Sequence, residues 1–218
     1  LTSAGATLGL ESGEQAEVLP GAPPRRTALL TGERIVQWAL YYPAVLHPAD
    51  LGLTPEEAIA SAAALGDYRD GDVLAAHAAM TRLVSGGPGT RMLRAALALA
   101  VGDGASADAE LATADPRAPV ARAVRELLQT VRGGPAIPSP DADPQTASEW
   151  LARSYTLQAD FRLEAARHAA RQAVLQAPDL GIAHARVAEL EWALDRPRPA
   201  LEGLDEALRL SPRLAFAH

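Results

Sequence analysis

The sequence predicts a mostly α fold, a solenoid of stacked helical hairpins preceded by a short N-terminal β segment. Three observations lead there. Ala166, Ala173 and Pro178 recur as Ala200, Ala207 and Pro212, each displaced by 34 positions. A period of that size marks units that bury their apolar faces against neighbours rather than in one closed core. Upstream, apolar residues fall at helical spacing between Gly and Pro breakers. Finally, aromatics make up only 4% of a chain that is 48% hydrophobic and rich in alanine. That balance suits thin helices in close approach better than a sheet of bulky β-branched residues.

Residues 1–26 form the β segment and linker. Thr7-Leu8-Gly9-Leu10 and Gln15-Ala16-Glu17-Val18 flank Ser12-Gly13, the pattern of a hairpin, and Gly21 to Arg26 reads as a linker. A lone hairpin is marginal in water, so it needs other strands or the helices to cover it.

Residues 27–132 are expected to hold divergent helical repeats. Ile35, Val36, Trp38, Ala39 and Tyr42 share one helical face before Pro43 ends it. Thr54-Pro55-Glu56-Glu57 combines a capping box with Pro at the first helical position and starts a helix over 55–65. Gly66-Asp67 is expected to turn the chain into a second helix from Asp70 to Val84. Further helices follow over 90–101, 105–114 and 117–132, separated by Gly102-Asp103-Gly104, and the 34-residue register is degraded throughout this section.

Residues 133–145 are a Pro-rich connector. Thr146-Ala147-Ser148-Glu149, a second capping box, opens the regular array of 146–218. Ala215-Phe216-Ala217-His218 echoes Gly181-Ile182-Ala183-His184, so a third unit starts and is cut short, which implies a longer natural protein. The opening residue, Leu1 rather than Met, implies the same.

The units 147–180 and 181–214 resemble tetratricopeptide repeats. Trp150 stands where that family has its Trp, Ser154 and Ala188 take the small position at the helix crossing, and Ala166/Ala200, Ala173/Ala207 and Pro178/Pro212 complete the pattern. His184 replaces the second Trp, Ala170 and Leu204 fill the Phe position, and Leu157 and Glu191 replace the usual Tyr. The segment Leu10 to Val18 resembles the last strands of a FecR-type domain, and Ile35 to Pro43 is similar to the junction that joins such domains to repeat arrays in bacteria. The resemblance implies a bacterial FecR-domain/repeat fusion, extracytoplasmic and without enzymatic activity. The absence of Lys and Asn fits a GC-rich bacterial genome.

Composition excludes several chemistries. There is no Cys and every one of the 20 basic residues is Arg, so thiolate nucleophiles, zinc fingers, Schiff bases and a P-loop lysine are ruled out. A net charge of −7 opposes nucleic-acid binding, and no apolar run is long enough to cross a bilayer. Of the five histidines, His168 lies four residues after Glu164, an ordinary helix-surface spacing without a third ligand. No cofactor or metal is expected. The expected role is a protein–protein interaction scaffold that holds a peptide or protein partner, with Tyr155, Gln158, Glu189 and Trp192 as the groove candidates. The alternative is a structural subunit of a self-associating extracytoplasmic assembly or filament, a homo-oligomer in which another copy covers the open repeat end and the β segment that lacks its sheet.

Overall fold

Proline supplies the first helical residue of four of the ten α-helices among the described residues, where its missing N–H is lost on a group that has no intrahelical acceptor. The computed structural model describes residues 2–3, 6–8, 16–17, 22–26, 46–83, 86–132 and 143–217, and these are mostly helical. After a 3-10 turn at Pro48–Leu51 come α1 (Pro55–Ala60), α2 (Ala62–Asp70) and α3 (Val73–Thr81). The next are α4 (Pro88–Ala100), α5 (Gly104–Ala112) and α6 (Pro119–Val131). The last four are α7 (Ala147–Ala159), α8 (Leu163–Gln176), α9 (Gly181–Ala193) and α10 (Pro197–Leu210), and a second 3-10 turn covers Ala215–Ala217.

The N-terminal expectation is not met. Two antiparallel pairs of two-residue strands are described, β1 (Thr2–Ser3) with β2 (Ala6–Thr7) and β3 (Ala16–Glu17) with β4 (Arg25–Arg26). Thr7 thus pairs back to Thr2, not forward across Ser12-Gly13, and Arg25–Arg26 is a strand rather than linker. Pairs this short are not a stable sheet by themselves, and a β segment of the expected kind is not seen. The helix expected before Pro43, with Trp38, and most of the Pro-rich connector lie outside the described residues.

Both capping boxes form. Glu57 N donates to Thr54 Oγ1 at 3.2 Å and Thr54 N returns to Glu57 Oε2 at 3.0 Å; Thr146 and Glu149 repeat the exchange. The turn expected at Gly66-Asp67 is displaced. Gly66 lies inside α2, because the helix continues far enough to bury Tyr68, whose hydroxyl donates to Leu46 O at 2.8 Å. The chain reverses instead at Gly71-Asp72, and Asp72 caps α3 through Ala75 N at 2.9 Å.

The middle section is more regular than its sequence suggests. The bounds of α3 and α5, and those of α4 and α6, differ by 31 positions at both ends. The bounds of α7 and α9, and of α8 and α10, differ by 34. The register is not degraded but shorter: α4 and α7 both have 13 residues, whereas α5 has 9 where α8 has 14. One turn geometry serves both sections. Gly71, Gly102, Phe161 and Asp195 each sit in the left-handed region with φ of 91°, 84°, 59° and 58°. Each donates its N–H to the carbonyl three residues back, while the next residue donates to the carbonyl five back. This is the Schellman closure of a helix C-terminus, and it folds the following helix back antiparallel.

Between the two sections α6 and α7 run parallel. Their contacts advance together: Arg122 with Glu149, Arg153 with Glu126 at 3.0 Å, and Thr130 with Thr156 at 3.1 Å. In α8 the buried face is Ala166, Ala169, Ala170 and Ala173, which allows helix axes to approach toward the short end of the usual 8–10 Å range.

The first helix pair also reaches the end of the array. Ser211 Oγ donates to Arg69 O at 2.6 Å, Arg213 N donates to Asp70 O at 2.7 Å, and the Arg213 guanidinium pairs with Asp72. Gly71 is indispensable here, since a Cβ on it would lie 2.5 Å from Leu214 N. Among the described residues the main apolar core runs from Leu46 to Ala217, and Ala166, Ala170 and Leu190 form a smaller separate cluster.

Candidate functional site

Tyr155 and Glu189 are 34 positions apart, as are Gln158 and Trp192, so the four candidates form two rungs across α7 and α9. Arg186, fully buried, joins the first rung. Its Nε donates to Ser154 Oγ at 2.9 Å, one Nη to Ser154 O at 3.0 Å and the other to Glu189 at 2.6 Å. The guanidinium carbon also lies 3.8 Å from the centroid of the Tyr155 ring, a cation–π distance. Tyr155 is only 6% exposed, so it and Glu189 are committed to holding α7 against α9. Of the four, Trp192 faces solvent, at 67% exposure, and Gln158 is half-buried.

Sequence reasoning misses Phe161, which is 81% exposed and occupies the left-handed turn position after α7. A signal exists: aligned at 34 residues, Phe161 falls opposite Asp195, a residue type that tolerates this conformation far better. Ordinarily an aromatic there is both strained and exposed to no purpose within the fold.

Glu191, which stands in place of a family Tyr, is buried among Arg167 at 3.1 Å, Arg171 at 2.6 Å and Arg196 at 3.4 Å. Burial alone would raise its pKa. The guanidiniums, Arg167 foremost, outweigh it and hold the carboxyl below its usual range. Glu164 is bound by Arg167 and Arg196 rather than by His168. These contacts tie α8, α9 and the turn before α10 together.

A second cluster lies where the first helices meet the array. Asp50 accepts from Ser148 N at 2.9 Å and from Ser148 Oγ at 2.6 Å, and His47 N donates to Ser148 Oγ at 2.9 Å. Asp50 thereby serves as a borrowed cap for the N-terminus of α7. His47 Nδ1 is 3.8 Å from Asp50 and Nε2 is 3.7 Å from Asp179, ion-pair rather than hydrogen-bond distances. Asp50 foremost, and then Asp179, raise the His47 pKa against burial and the opposing charge of Arg69. Burial pushes Asp50 upward, but His47 and Ser148 together leave its pKa lowered. The group does not form a nucleophilic triad, because the serine hydroxyl donates to the carboxylate and not to the imidazole. Beside it lies a cavity of about 390 Å³ walled by Leu53, Leu65, Leu180, Ile182 and Leu210.

Among the described residues no group of three His, Asp or Glu is placed to hold a metal ion, and no helix is long and apolar enough to cross a membrane. No protein-family model, curated protein or solved structure matches this chain.

Proposed function

We propose that the chain is a non-enzymatic interaction scaffold of the tetratricopeptide type, an array of helical hairpins that binds a protein or peptide partner. The observation that carries this reading is Trp192. It is a large aromatic left in water near the end of α9, three residues beyond Glu189, which is tied to the buried Arg186 stacked on Tyr155. Exposed aromatics on rigid supports are the usual anchors of protein interfaces. The 34-residue recurrence of helix bounds and of small buried residues supports the repeat assignment. The FecR-type junction and an extracytoplasmic location rest on the sequence resemblance alone.

The alternative of a self-associating assembly draws on an open repeat end. The β segment lacking its sheet is a second ground for it. Residues 69–72 contact 211–214, which covers part of that end, and the scaffold reading is preferred on the exposed Trp192.

Selection from a displayed random-peptide library tests it. Peptides enriched on the 218-residue chain are expected to lose about tenfold in affinity on Trp192→Ala, the size of a modest interface anchor, with helicity unchanged. No enrichment, or enrichment indifferent to Trp192, would overturn the reading.

A further inference from the structure

The two ends of the array leave a space where they meet. His47 and Asp50 are fastened to Ser148, and Arg69 and Asp70 to Ser211 and Arg213. The cavity of about 390 Å³ is lined from both of these contacts, by His47, Arg69 and Ser211. Its walls are otherwise apolar: Leu53, Ala58 and Leu65 come from the N-terminal side, Leu180 and Ile182 from the start of α9, and Leu210 from the end of α10. The polar atoms at its edge are already engaged. The Tyr68 hydroxyl donates to Leu46 O and the Ser211 hydroxyl to Arg69 O, while His47 stands between Asp50 and Asp179. Arg69 and the protonated imidazole balance Asp50 and Asp179, so the charges around the space cancel. Asp179 also precedes the N-cap of α9, which lacks a side-chain cap, and places a carboxylate near the helix end that attracts one. The volume falls in the range of small-ligand sites. One turn of a helix, about 10 Å by 5.4 Å, fills roughly 420 Å³, so a helical peptide does not fit.

We propose that this cavity binds a small uncharged molecule that is apolar over most of its surface. Removing that surface and the leucines from water is the driving force. A charged ligand would lose its hydration where the surrounding charges already balance. Because the walls come from both ends of the chain, one ligand bridges them, and binding stabilises the contact between residues 69–72 and 211–214. The inference goes beyond the interaction reading and does not rest on it, since Trp192 is not part of the lining.

The test uses the 218-residue chain with ¹³C-labelled isoleucine methyl groups, titrated with indole at about pH 6, where the His47 imidazole is protonated. Indole-3-acetate and tryptamine present the same ring with a negative and a positive charge. Indole is expected to shift the Ile182 methyl, assigned through Ile182→Val, and to leave that of the exposed Ile59 in place. Either charged compound should bind about tenfold more weakly. Ala58→Phe, which fills the space, should weaken indole binding at least about tenfold with helicity retained, and Leu210→Trp should do the same from another wall. An unshifted Ile182 methyl, or binding indifferent to both substitutions, sinks the proposal. Tighter binding of indole-3-acetate or tryptamine would give the cavity to a charged ligand, and tighter binding of N-acetyltryptophanamide would give it to a partner's side chain; either result overturns it as well. Peptide selection reads Trp192 instead, so failure here leaves the scaffold reading standing, and failure there leaves this one.

Discussion

Glu191 shows how much one side chain can hold together. It is 1% exposed and receives three guanidiniums, two from α8 and one from the turn before α10. Glu191→Gln should therefore destabilise by about 2 kcal/mol, the scale of lost hydrogen bonds to a charged group when the guanidiniums left behind remain in reach of water, measured by urea unfolding. Because its folded pKa is lowered, its contribution is present above the ordinary carboxylate range and is lost as pH falls through the folded value. His47 has the opposite sign. Its folded pKa is raised, so its contribution is full below 6.5 and is lost as pH rises through the folded value. The urea midpoint should fall from about pH 6 to 8, and His47→Gln should flatten that segment. The change is under about 1 kcal/mol, since Asp179 on one side of the imidazole is solvated. Neither role is legible as sequence. Glu191 reads as a lost family tyrosine, and although Asp50 stands three residues from His47, the Ser148 and Asp179 that complete the cluster lie far along the chain.

At the scale of elements, what is local is legible. The starts at Thr54-Pro55 and Thr146 follow from side chains that reach only to the next turn, and Thr146→Ala is expected to lower stability by about 1 kcal/mol, read from the thermal midpoint. The same holds for α7 to α10, whose Ala and Pro positions recur unchanged. The 31-residue rhythm of α3 to α6 is hidden because its shorter second helices share position rather than residue type: Met80 and Leu111 fill one buried place, Leu97 and Leu128 another. The turn at Gly71 is not distinguishable from sequence because Gly66 offers the same local signal, and only the burial of Tyr68 decides between them. Short helices also have less to hold them. Amides of α3 and α5 should exchange about tenfold faster than those of α8 and α10, as expected of elements with few buried contacts, and hydrogen exchange by mass spectrometry would show it.

The molecule as a whole is defined by the meeting of its first pair with its last, a contact that no local pattern announces. Two glycines allow its strength to be isolated. Gly102 has φ 84° and open space within 4 Å of where a Cβ would stand, whereas Gly71 has φ 91° with the Leu214 backbone in the way. Gly102→Ala should cost the left-handed strain alone, about 1 kcal/mol. Gly71→Ala should cost at least about 1 kcal/mol more, since backbone stands in the place of the new methyl. It should also enlarge the radius of gyration in small-angle scattering with helicity retained. Equal effects from the two substitutions would show that the contact contributes nothing to closure.

That contact also has a consequence in time. Ser211 and Arg69 are 142 residues apart, and a ribosome adds about 5–20 residues per second. The first helix pair therefore exists for on the order of 10 s before the residues that cover it have been made. Throughout that interval Gly71 faces whatever else is present, and Asp50 does so until Ser148, 98 residues on, has been made, so the emerging chain must either wait with this surface bare or be attended by a chaperone until residues 211–214 arrive.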